Sequence, residues 1–182
     1  MKVLAFAASN SKQSINRQLA AYTTGLMPGA EVEILDLNDY EMPLFSTDRE
    51  AELGQPEQAQ AFFRKIGEAD ALVIAYAEHN GSYTAAWKNL FDWTSRIDQK
   101  VFQKTPMLLL ATSPGPGGAR NVLNQAKTSA PYFAGDVVAD VSVANFYDVF
   151  DMDAGQVSDQ AVAEQIRTAA AALAEQAEAV TA

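Results

Sequence analysis

Five short apolar runs that alternate with segments of helical spacing are the feature that most constrains how this chain can fold. The runs cover residues 3–8, 31–37, 71–76, 106–112 and 137–143. Helical spacing is found over residues 14–26, 57–68, 85–97, 119–130 and 158–180. Short, nearly continuous apolar runs are typical of strands that are buried on both faces. Their alternation with helices predicts a parallel sheet that is covered by helices on both sides.

The size and composition of the chain fit one globular domain. It has 182 residues, of which 48% are hydrophobic and 20% are charged. Because a domain commonly takes about 100–200 residues, we expect residues 1–182 to form a single domain. The near-average composition argues against disorder. The segment 38–55 is predicted to be irregular, since it carries Pro43 and Gly54 and Pro56 follows it.

Charge and cysteine content exclude several classes of function. Lys and Arg number 13 against 23 Asp and Glu, which gives a net charge of −10. Such a surface repels nucleic-acid phosphates and anionic lipid heads, so we expect neither a nucleic-acid nor a membrane partner. The chain has no Cys and one His, His79, which excludes disulfides, thiolate catalysis, Cys-ligated metals and a multi-histidine metal site.

The apolar pattern also predicts where the protein resides. The apolar run at the amino terminus is shorter than the core of about 7–15 residues that a signal peptide needs. No stretch approaches the ~20 apolar residues of a membrane span. We therefore expect a cytoplasmic protein.

The loop after the first strand has the features of a phosphate site. In open parallel sheets, ligands bind beyond the carboxyl ends of the strands, which directs attention to the loops after the first, third and fourth strands. In the first loop, Ser9, Ser11 and Ser14 lie beside a helix amino terminus, where free N–H groups and the helix dipole attract anions. The loop has no glycine, so a monophosphate fits it better than a dinucleotide or a nucleoside triphosphate. The alternative is an ordinary capped turn.

The loops after the third and fourth strands carry weaker signals. Gly81 could let the backbone approach a flat ring, Tyr83 could stack on it, and Asn80 and Ser82 could bond its edges. The glycine pair at 117–118 could present N–H groups to a ligand. A solvated turn is the alternative for each loop. The chain has no G-x-S-x-G elbow, which argues against a serine hydrolase.

Two further groups of residues have structural interpretations. The carboxylates of Asp148, Asp151 and Asp153 do not fit a calcium-loop pattern, and we expect a solvated acidic turn. Trp87, Phe91 and Trp93 lie on or beside a helical stripe, which indicates packing in the core or at a dimer interface.

Taken together, the three loops resemble the NADPH-dependent FMN reductase family, which includes flavodoxin-like quinone, azo-dye, chromate and flavin reductases. Residues 9–17 resemble its pattern G-S-x-R-x-x-S-x-N-R, and residues 113–118 are similar to S-x-G-x-x-G-G. Residues 78–93 resemble P-E-Y-N-x-S-x-P-x-x-L-K-N-x-I-D-W, the most specific match because it joins a loop and a helix in fixed register. The matching residues are Ser9, Ser14, Asn16, Arg17, Glu78, Asn80, Ser82, Lys88, Asn89, Asp92, Trp93, Ser113, Gly115 and Gly118; the departures are Ala8, Ser11, Ala77, His79 and Thr84.

The resemblance implies an α/β fold, a flavodoxin-like three-layer α/β/α sandwich with a five-stranded parallel sheet in the order 2-1-3-4-5. It also implies bound FMN, NADPH or NADH as reductant, ping-pong hydride transfer to a quinone, flavin or similar small acceptor, and a homodimer or homotetramer. The chemistry would be centred on the flavin, with no catalytic side chain and no metal. The implied cofactor-binding residues are Ser9, Ser11, Ser14, Asn16, Arg17, Glu78, His79, Asn80, Gly81, Ser82, Ser113, Gly115, Gly117 and Gly118.

Two other functions stay open at the level of the sequence. A flavodoxin-like electron carrier without turnover of its own would suit the acidic charge, which favours docking to basic partners. Its phosphate loop, however, would be rich in glycine together with Thr or Ser. A hydrolase without flavin, or a scaffold that has lost its activity, is the other alternative, because the second loop departs from the family pattern.

Overall fold

A computed structural model describes the backbone of residues 1–181 and the side chains of residues 1–180, and its centre is a five-stranded parallel sheet. The strands lie in the order β2-β1-β3-β4-β5, and each neighbouring pair is parallel. This confirms the predicted fold class and strand order. The strands are β1 (Lys2–Ala8), β2 (Glu31–Leu35), β3 (Ala71–Tyr76), β4 (Pro106–Thr112) and β5 (Asp136–Val143).

Helices cover both faces of the sheet. The helices are α1 (Ile15–Gly25), α2 (Thr47–Leu53), α3 (Glu57–Gly67), α4 (Ala85–Thr94), α5 (Arg120–Ser129), α6 (Phe146–Val149) and α7 (Gln160–Thr181). Apolar side chains of α3, α4 and α5 pack on one face, and those of α1 and α7 pack on the other. Within the described part of the chain, no helix combines the length and apolar character that a bilayer crossing requires.

The apolar strands arise because both faces of the sheet are buried. In β1, Leu4 and Phe6 belong to the core on the side of α3–α5, while Val3 and Ala5 belong to the core on the side of α1 and α7. Successive side chains of a strand point to opposite faces, so a strand between two helical layers needs an apolar residue at every position. The continuous apolar runs of the sequence are therefore explained by the two layers.

The second strand and the segment after it differ from the sequence prediction. β2 ends at Leu35 rather than at Leu37, because Asp36 caps a 3₁₀ turn (Leu37–Tyr40) by accepting the N–H of Asn38 at 2.9 Å. The segment 38–55, predicted to be irregular, contains this turn and α2. α2 buries none of its residues and is capped by Ser46, so the apolar spacing that reveals the other helices is missing.

The acidic residues and the large aromatic residues occupy the places expected of them. Asp151 accepts the N–H groups of Asp153 and Ala154 at 3.0 and 2.9 Å, in the exposed turn between β6 (Phe150–Asp151) and β7 (Gln156–Val157). The predicted solvated acidic turn is confirmed for Asp151 and Asp153, whereas Asp148 is exposed on α6. Trp87 and Trp93 are buried in the core on the side of α3–α5, which confirms the packing interpretation of this helix.

Candidate functional site

Three loops meet at the carboxyl ends of the neighbouring strands β1, β3 and β4. They comprise residues 9–14, 77–84 and 113–119. Thr84 of the second loop donates its hydroxyl to the carbonyl of Ala8 at 2.9 Å, and Asn16, just beyond the first loop, bonds the backbone of Thr112. The structure therefore brings together the three loops that the sequence singled out.

The first loop presents two buried serine hydroxyls to a cleft. Ser9 Oγ accepts the N–H of Ser11 at 3.1 Å, and Ser14 Oγ accepts the N–H of Arg17 at 3.2 Å as the N-cap of α1. Within the described residues, neither hydroxyl donates its own proton to a protein acceptor. Each O–H is therefore free to donate to a ligand, beside the positive end of the α1 dipole. The cleft is lined by Ala7, Ser9, Ser11, Lys12, Ser14, Arg17, Leu35, Asp36 and Leu37.

Asn16, one of the residues that the resemblance implies for cofactor binding, links α1 to β4 through its side chain. The side chain is buried and does not line the cleft. Its Nδ2 donates to the carbonyl of Thr112 at 3.2 Å, and its Oδ1 accepts the N–H of Thr112 at 3.1 Å. This residue joins the start of α1 to the end of β4 and so fixes the spacing of the first and third loops.

Arg17 and Asp36 form the charged wall of the cleft. Arg17 is half-buried, and its Nη1 donates to the carbonyl of Leu35 at 3.1 Å. Asp36 Oδ1 accepts both the backbone N–H of Asn38 and its Nδ2, the latter at 2.7 Å. The bond from the backbone of Asn38 holds the pKa of Asp36 below its usual value, and the charges of Arg17 and Lys12 add to the effect. Asp36 is therefore a fixed anion in the same cleft as two cations.

The second loop is a two-residue hairpin turn. His79 and Ser82 exchange backbone hydrogen bonds at 3.0 and 3.1 Å, and the turn residues Asn80 and Gly81 have φ of 52° and 78°. Positive φ at both central positions defines a type I′ turn, for which Asn-Gly is the preferred sequence. His79, Asn80 and Gly81 are exposed, and no atom lies within 4 Å of the position that a Cβ of Gly81 would take. The backbone at Gly81 is therefore open to a flat ligand.

Two side chains that the resemblance implies for cofactor binding anchor this turn to α5. Glu78 accepts the N–H of Val122, the third residue of α5, at 3.0 Å and the Nδ2 of Asn121 at 3.2 Å. Ser82 Oγ donates to Gln125 Oε1 at 3.0 Å. A carboxylate at a helix amino terminus satisfies free N–H groups and complements the dipole. The side chains of Glu78 and Ser82 thus position the loop, and its exposed backbone is the part open to a ligand.

Tyr83 packs against the protein and does not stand free for stacking, which corrects the expectation from the sequence. Its hydroxyl lies 3.1 Å from Ser129 Oγ, and its ring centre lies 5.7 Å from that of Tyr76. Burial raises the pKa of both tyrosines above the usual value. Tyr83 is part of a cavity of about 220 Å³ on the α4–α5 side, which is also lined by Tyr76, Trp87, Lys88, Phe91, Asp92, Ser95, Phe102, Ala126, Ser129 and Phe133.

The third loop is open at two glycines and tightly packed at another. Gly118 has φ of 58°, and a Cβ there would lie 2.4 Å from Ser142 Oγ. No atom lies within 4 Å of the corresponding positions of Gly115 and Gly117. Ser113 Oγ donates a hydrogen bond to the carbonyl of Gly115 at 3.1 Å. Gly118 therefore shapes the loop, while Gly115 and Gly117 leave its backbone accessible.

Asn89, a residue of the motif at 78–93, has a structural role that the sequence analysis missed. Asn89 clamps the segment after the 3₁₀ turn, since its Nδ2 donates to the carbonyls of Met42 and Pro43 and its Oδ1 accepts the N–H of Phe45. Trp93 Nε1 donates to Pro43 at 2.7 Å. Asn89 and Trp93 lie four residues apart on one face of α4, and both side chains can form hydrogen bonds, which is the pattern that could have indicated this role. Their partners, more than 40 residues away, have no pattern that the sequence reveals.

A second missed connection supports the first loop. Asn38 Nδ2 donates to the carbonyl of Asn10 at 3.2 Å as well as to Asp36. The 3₁₀ turn after β2 therefore holds the tip of the first loop. The spacing Asp36-x-Asn38 is an Asx-turn signature and could have indicated the turn, but not its contact with Asn10.

Comparison with known proteins places these observations in a family. The sequence model of the NADPH-dependent FMN reductase family matches residues 1–148. An Arabidopsis thaliana NADPH:quinone oxidoreductase is 34% identical over 125 residues, which cover 66% of this chain and 62% of the relative. A quinone reductase of Escherichia coli K12 is 32% identical over 122 residues, 66% of this chain and 64% of the relative. The match therefore spans less than two thirds of the length of each relative.

Solved structures show the same fold. FerB of Paracoccus denitrificans, a flavoenzyme NAD(P)H:(acceptor) oxidoreductase, has a TM-score of 0.77 and 24% identity, with 98% of this chain and 97% of FerB covered. An NAD(P)H:quinone oxidoreductase from Methanothermobacter marburgensis has a TM-score of 0.67 and 18% identity, with 97% and 96% covered. At these identities the likeness establishes the fold alone.

Proposed function

Because the chain belongs to the NADPH-dependent FMN reductase family, we propose that it is an FMN-dependent NAD(P)H oxidoreductase that reduces quinones, flavins or related small acceptors. The Arabidopsis and E. coli relatives are quinone reductases, which supports this class of reaction. Residues 1–182 would act as one flavin-binding domain.

One observation carries the proposal: Ser9 and Ser14 line one cleft at the amino terminus of α1, and both keep a free O–H donor. Neutral hydroxyl donors, a helix dipole and nearby cations are the set that binds a phosphate monoester. The donor set therefore fits the phosphate of FMN. We assign the phosphate to Ser9, Ser11 and Ser14.

The flat ring of FMN would lie against the second and third loops. The backbone is open at Gly81 in one loop and at Gly115 and Gly117 in the other. Around this opening, Glu78, Ser82 and Gly118 hold the loops in place. When bound, FMN supplies the hydride-accepting chemistry, so the protein needs only to bind and orient the reactants. His79, Asn80 and Ser113 would contribute through their backbone positions in the same loops.

This arrangement suits a ping-pong cycle. A nicotinamide donor and a small acceptor would use the same open face in turn, because the loops leave one accessible edge of the sheet. The residues around the opening contribute hydrogen bonds and shape. The chain would therefore act by holding the reactants in register and by donating backbone N–H groups to the ring.

We also propose that the protein forms a homodimer or homotetramer. The aromatic cavity between α4 and α5 is lined by Tyr83, Trp87, Phe91 and Phe133, and aromatic residues are enriched at the centres of interfaces. Light scattering of the purified protein tests this: a mass of two or four chains supports it, and a monomer at micromolar concentration contradicts it.

The function is tested with the purified protein, to which FMN is added. We expect a flavin absorption spectrum that stays with the protein through gel filtration and bleaches when NADPH is added without oxygen. Addition of 1,4-benzoquinone should then restore the colour and sustain NADPH consumption. A protein that binds FMN but shows no turnover is a carrier, and a protein that ignores FMN contradicts the proposal.

A further inference from the structure

We propose that Asn145, which joins β5 to α6, is a positioning residue that holds the third loop in a form that binds reduced FMN more tightly than oxidised FMN. The inference rests on the proposed function. Asn145 lies outside the three loops that meet at the site. Its role follows from its contacts with the third loop and from its backbone conformation.

The segment after β5 holds carbonyl groups of the third loop. The N–H of Asn145 donates to the carbonyl of Gly115 at 2.9 Å, and the N–H of Phe146 donates to the carbonyl of Ser113 at 3.1 Å. Two successive backbone donors of one segment thus bond two acceptors of the loop. These acceptors are satisfied within the protein and are held toward β5 and α6.

The backbone donors of the third loop are left open. A third tether, from Ser142 Oγ to the carbonyl of Gly118 at 2.7 Å, again holds an acceptor of the loop. Within the described residues, no protein acceptor takes the N–H of Gly115 or the N–H of Gly117. The loop therefore uses its carbonyls inside the protein and keeps two N–H donors for a ligand.

The left-handed backbone of Asn145 makes this arrangement possible. Its φ and ψ are 50° and 53°, a region that residues with a Cβ rarely adopt and that Asn tolerates better than most. The chain turns sharply there, so the N–H groups of Asn145 and Phe146 both reach the third loop. The side chain of Asn145 caps no helix by hydrogen bonding. The backbone conformation, rather than the amide group, is therefore the feature that matters.

A loop that offers fixed N–H donors favours the reduced ring of FMN. Reduction adds electrons to the ring, and its nitrogen and carbonyl edge becomes more negative. Hydrogen bonds to a charged acceptor are about twice as strong as those to a neutral one. Donors that are already in place need no rearrangement when this charge develops. A loop whose carbonyls could turn toward the ring would lose the preference, because a carbonyl oxygen repels a negative edge.

The test places Val at residue 145, because a β-branched side chain strongly disfavours positive φ. We expect Asn145→Val to weaken the binding of reduced FMN about tenfold more than that of oxidised FMN. Fluorescence quenching measures the affinity for oxidised FMN. The midpoint potentials of bound and free FMN give the ratio of the two affinities. A tenfold loss in this ratio makes the potential of bound FMN about 30 mV more negative.

Two further variants separate backbone conformation from general strain. Asn145→Gly is the conservative variant, because Gly adopts this φ without strain, and its affinity ratio should stay within about twofold of the wild type. Ala134→Val is the matched control. Ala134 also has a left-handed backbone, with φ of 58°, but it precedes β5 at the opposite end of the strand. This variant should lower the thermal stability and leave the affinity ratio unchanged.

Amide hydrogen exchange gives a readout that does not depend on turnover. In the wild-type apoprotein, the N–H groups of Asn145 and Phe146 should be protected by their bonds to the third loop. Addition of FMN should protect the N–H groups of Gly115 and Gly117 in the wild type and in Asn145→Gly. In Asn145→Val, we expect both sets of amides to exchange faster.

The outcomes distinguish this inference from the proposed function. If Asn145→Val binds FMN with an unchanged affinity ratio, the role of Asn145 is overturned while the proposed function stands. Equal losses for both forms of FMN, or the same shift in Ala134→Val, also overturn it, since they indicate general destabilisation. If Asn145→Val does not fold, Asn145→Ala imposes a milder strain, and an unchanged ratio in that protein is equally decisive. A wild-type protein that binds no FMN overturns the proposed function and this inference with it.

Discussion

The side-chain amide of Asn16 holds both backbone groups of Thr112: Nδ2 donates to the carbonyl at 3.2 Å, and Oδ1 accepts the N–H at 3.1 Å. The two residues are 96 positions apart in the chain, and both are buried. This contact ties the amino terminus of α1 to the last residue of β4. The cleft beside the first loop and the third loop are thereby held at a fixed separation.

We expect Asn16→Ala to destabilise the protein by about 2–4 kcal/mol, because it leaves the N–H and the carbonyl of Thr112 buried without partners. Asn16→Asp should also destabilise it, since a carboxylate cannot donate to the carbonyl. Urea unfolding followed by circular dichroism measures both. The exposed Asn124→Ala on α5 is the control. A loss below about 0.5 kcal/mol for Asn16→Ala, the range of ordinary surface substitutions, would contradict the assigned role.

Thr84 joins the second loop to the first. Its hydroxyl donates to the Ala8 carbonyl at 2.9 Å and accepts the N–H of Trp87 at 3.2 Å, and the residue is 1% exposed. Thr84→Val keeps the shape but removes both bonds, so we expect a loss of about 1–3 kcal/mol.

Thr84→Ser is the matched variant, because it keeps the hydroxyl and loses only a methyl group. Thermal unfolding of the two proteins separates the contributions. The Val variant should be clearly less stable than the Ser variant. If the order is reversed, the methyl packing of Thr84 matters more than its hydrogen bonds.

Much of the fold could be predicted because burial leaves a local signature. β1, β3 and β4 are covered on both faces, so nearly every position is apolar and the runs stand out. The end of β2 was misplaced because the apolar Leu37, which extends the run, belongs to the 3₁₀ turn that Asp36 caps. α2 buries nothing, and therefore no periodic apolar pattern marks it.

The sequence predicted that the three loops of the candidate site meet, but it did not reveal the contacts of their side chains. The position of the loops follows from the strand order, since the carboxyl ends of parallel strands share one edge. The roles of Asn16, Glu78 and Tyr83 depend on partners in distant segments, such as Thr112, Val122 and Ser129. A polar residue in a loop has the same sequence signature whether it binds a ligand or another loop, so only the folded chain separates the two.

Asp36 predicts a pH dependence of stability. The N–H of Asn38 lowers the pKa of Asp36, so the folded state binds this proton less readily than the unfolded chain does. The stabilisation is therefore complete above the unfolded pKa of about 3.9 and is lost as the pH falls through the lower, folded value. We expect Asp36→Ala to cost about 1 kcal/mol at pH 7, as removal of a cap does.

Urea unfolding of the wild type and Asp36→Ala at pH 7, 5 and 3 measures the effect. The difference between the two proteins should be the same at about pH 7 and 5 and should shrink at about pH 3, where the wild type begins to take up the proton. Asp39→Ala, at an exposed position of the same 3₁₀ turn, is the control. A difference that stays constant down to the lowest pH would show that the ionised form of Asp36 contributes nothing.

Gly118 and Gly117 form a matched pair for testing the shape of the third loop. Gly118 has φ of 58°, and an added Cβ would lie 2.4 Å from Ser142 Oγ and 3.1 Å from the backbone nitrogen of Ala144. Gly118→Ala therefore combines a strained backbone with a clash, and we expect it to cost about 2–4 kcal/mol. Gly117 has open space around it and no positive φ, so Gly117→Ala should change the stability of the apoprotein by less than about 0.5 kcal/mol.

Thermal unfolding of the two apoproteins gives the comparison, and Ser142→Ala combined with Gly118→Ala should recover part of the loss by removing the nearest atom. Equal stabilities for the two glycine variants would mean that the loop adjusts freely and that Gly118 does not fix its shape.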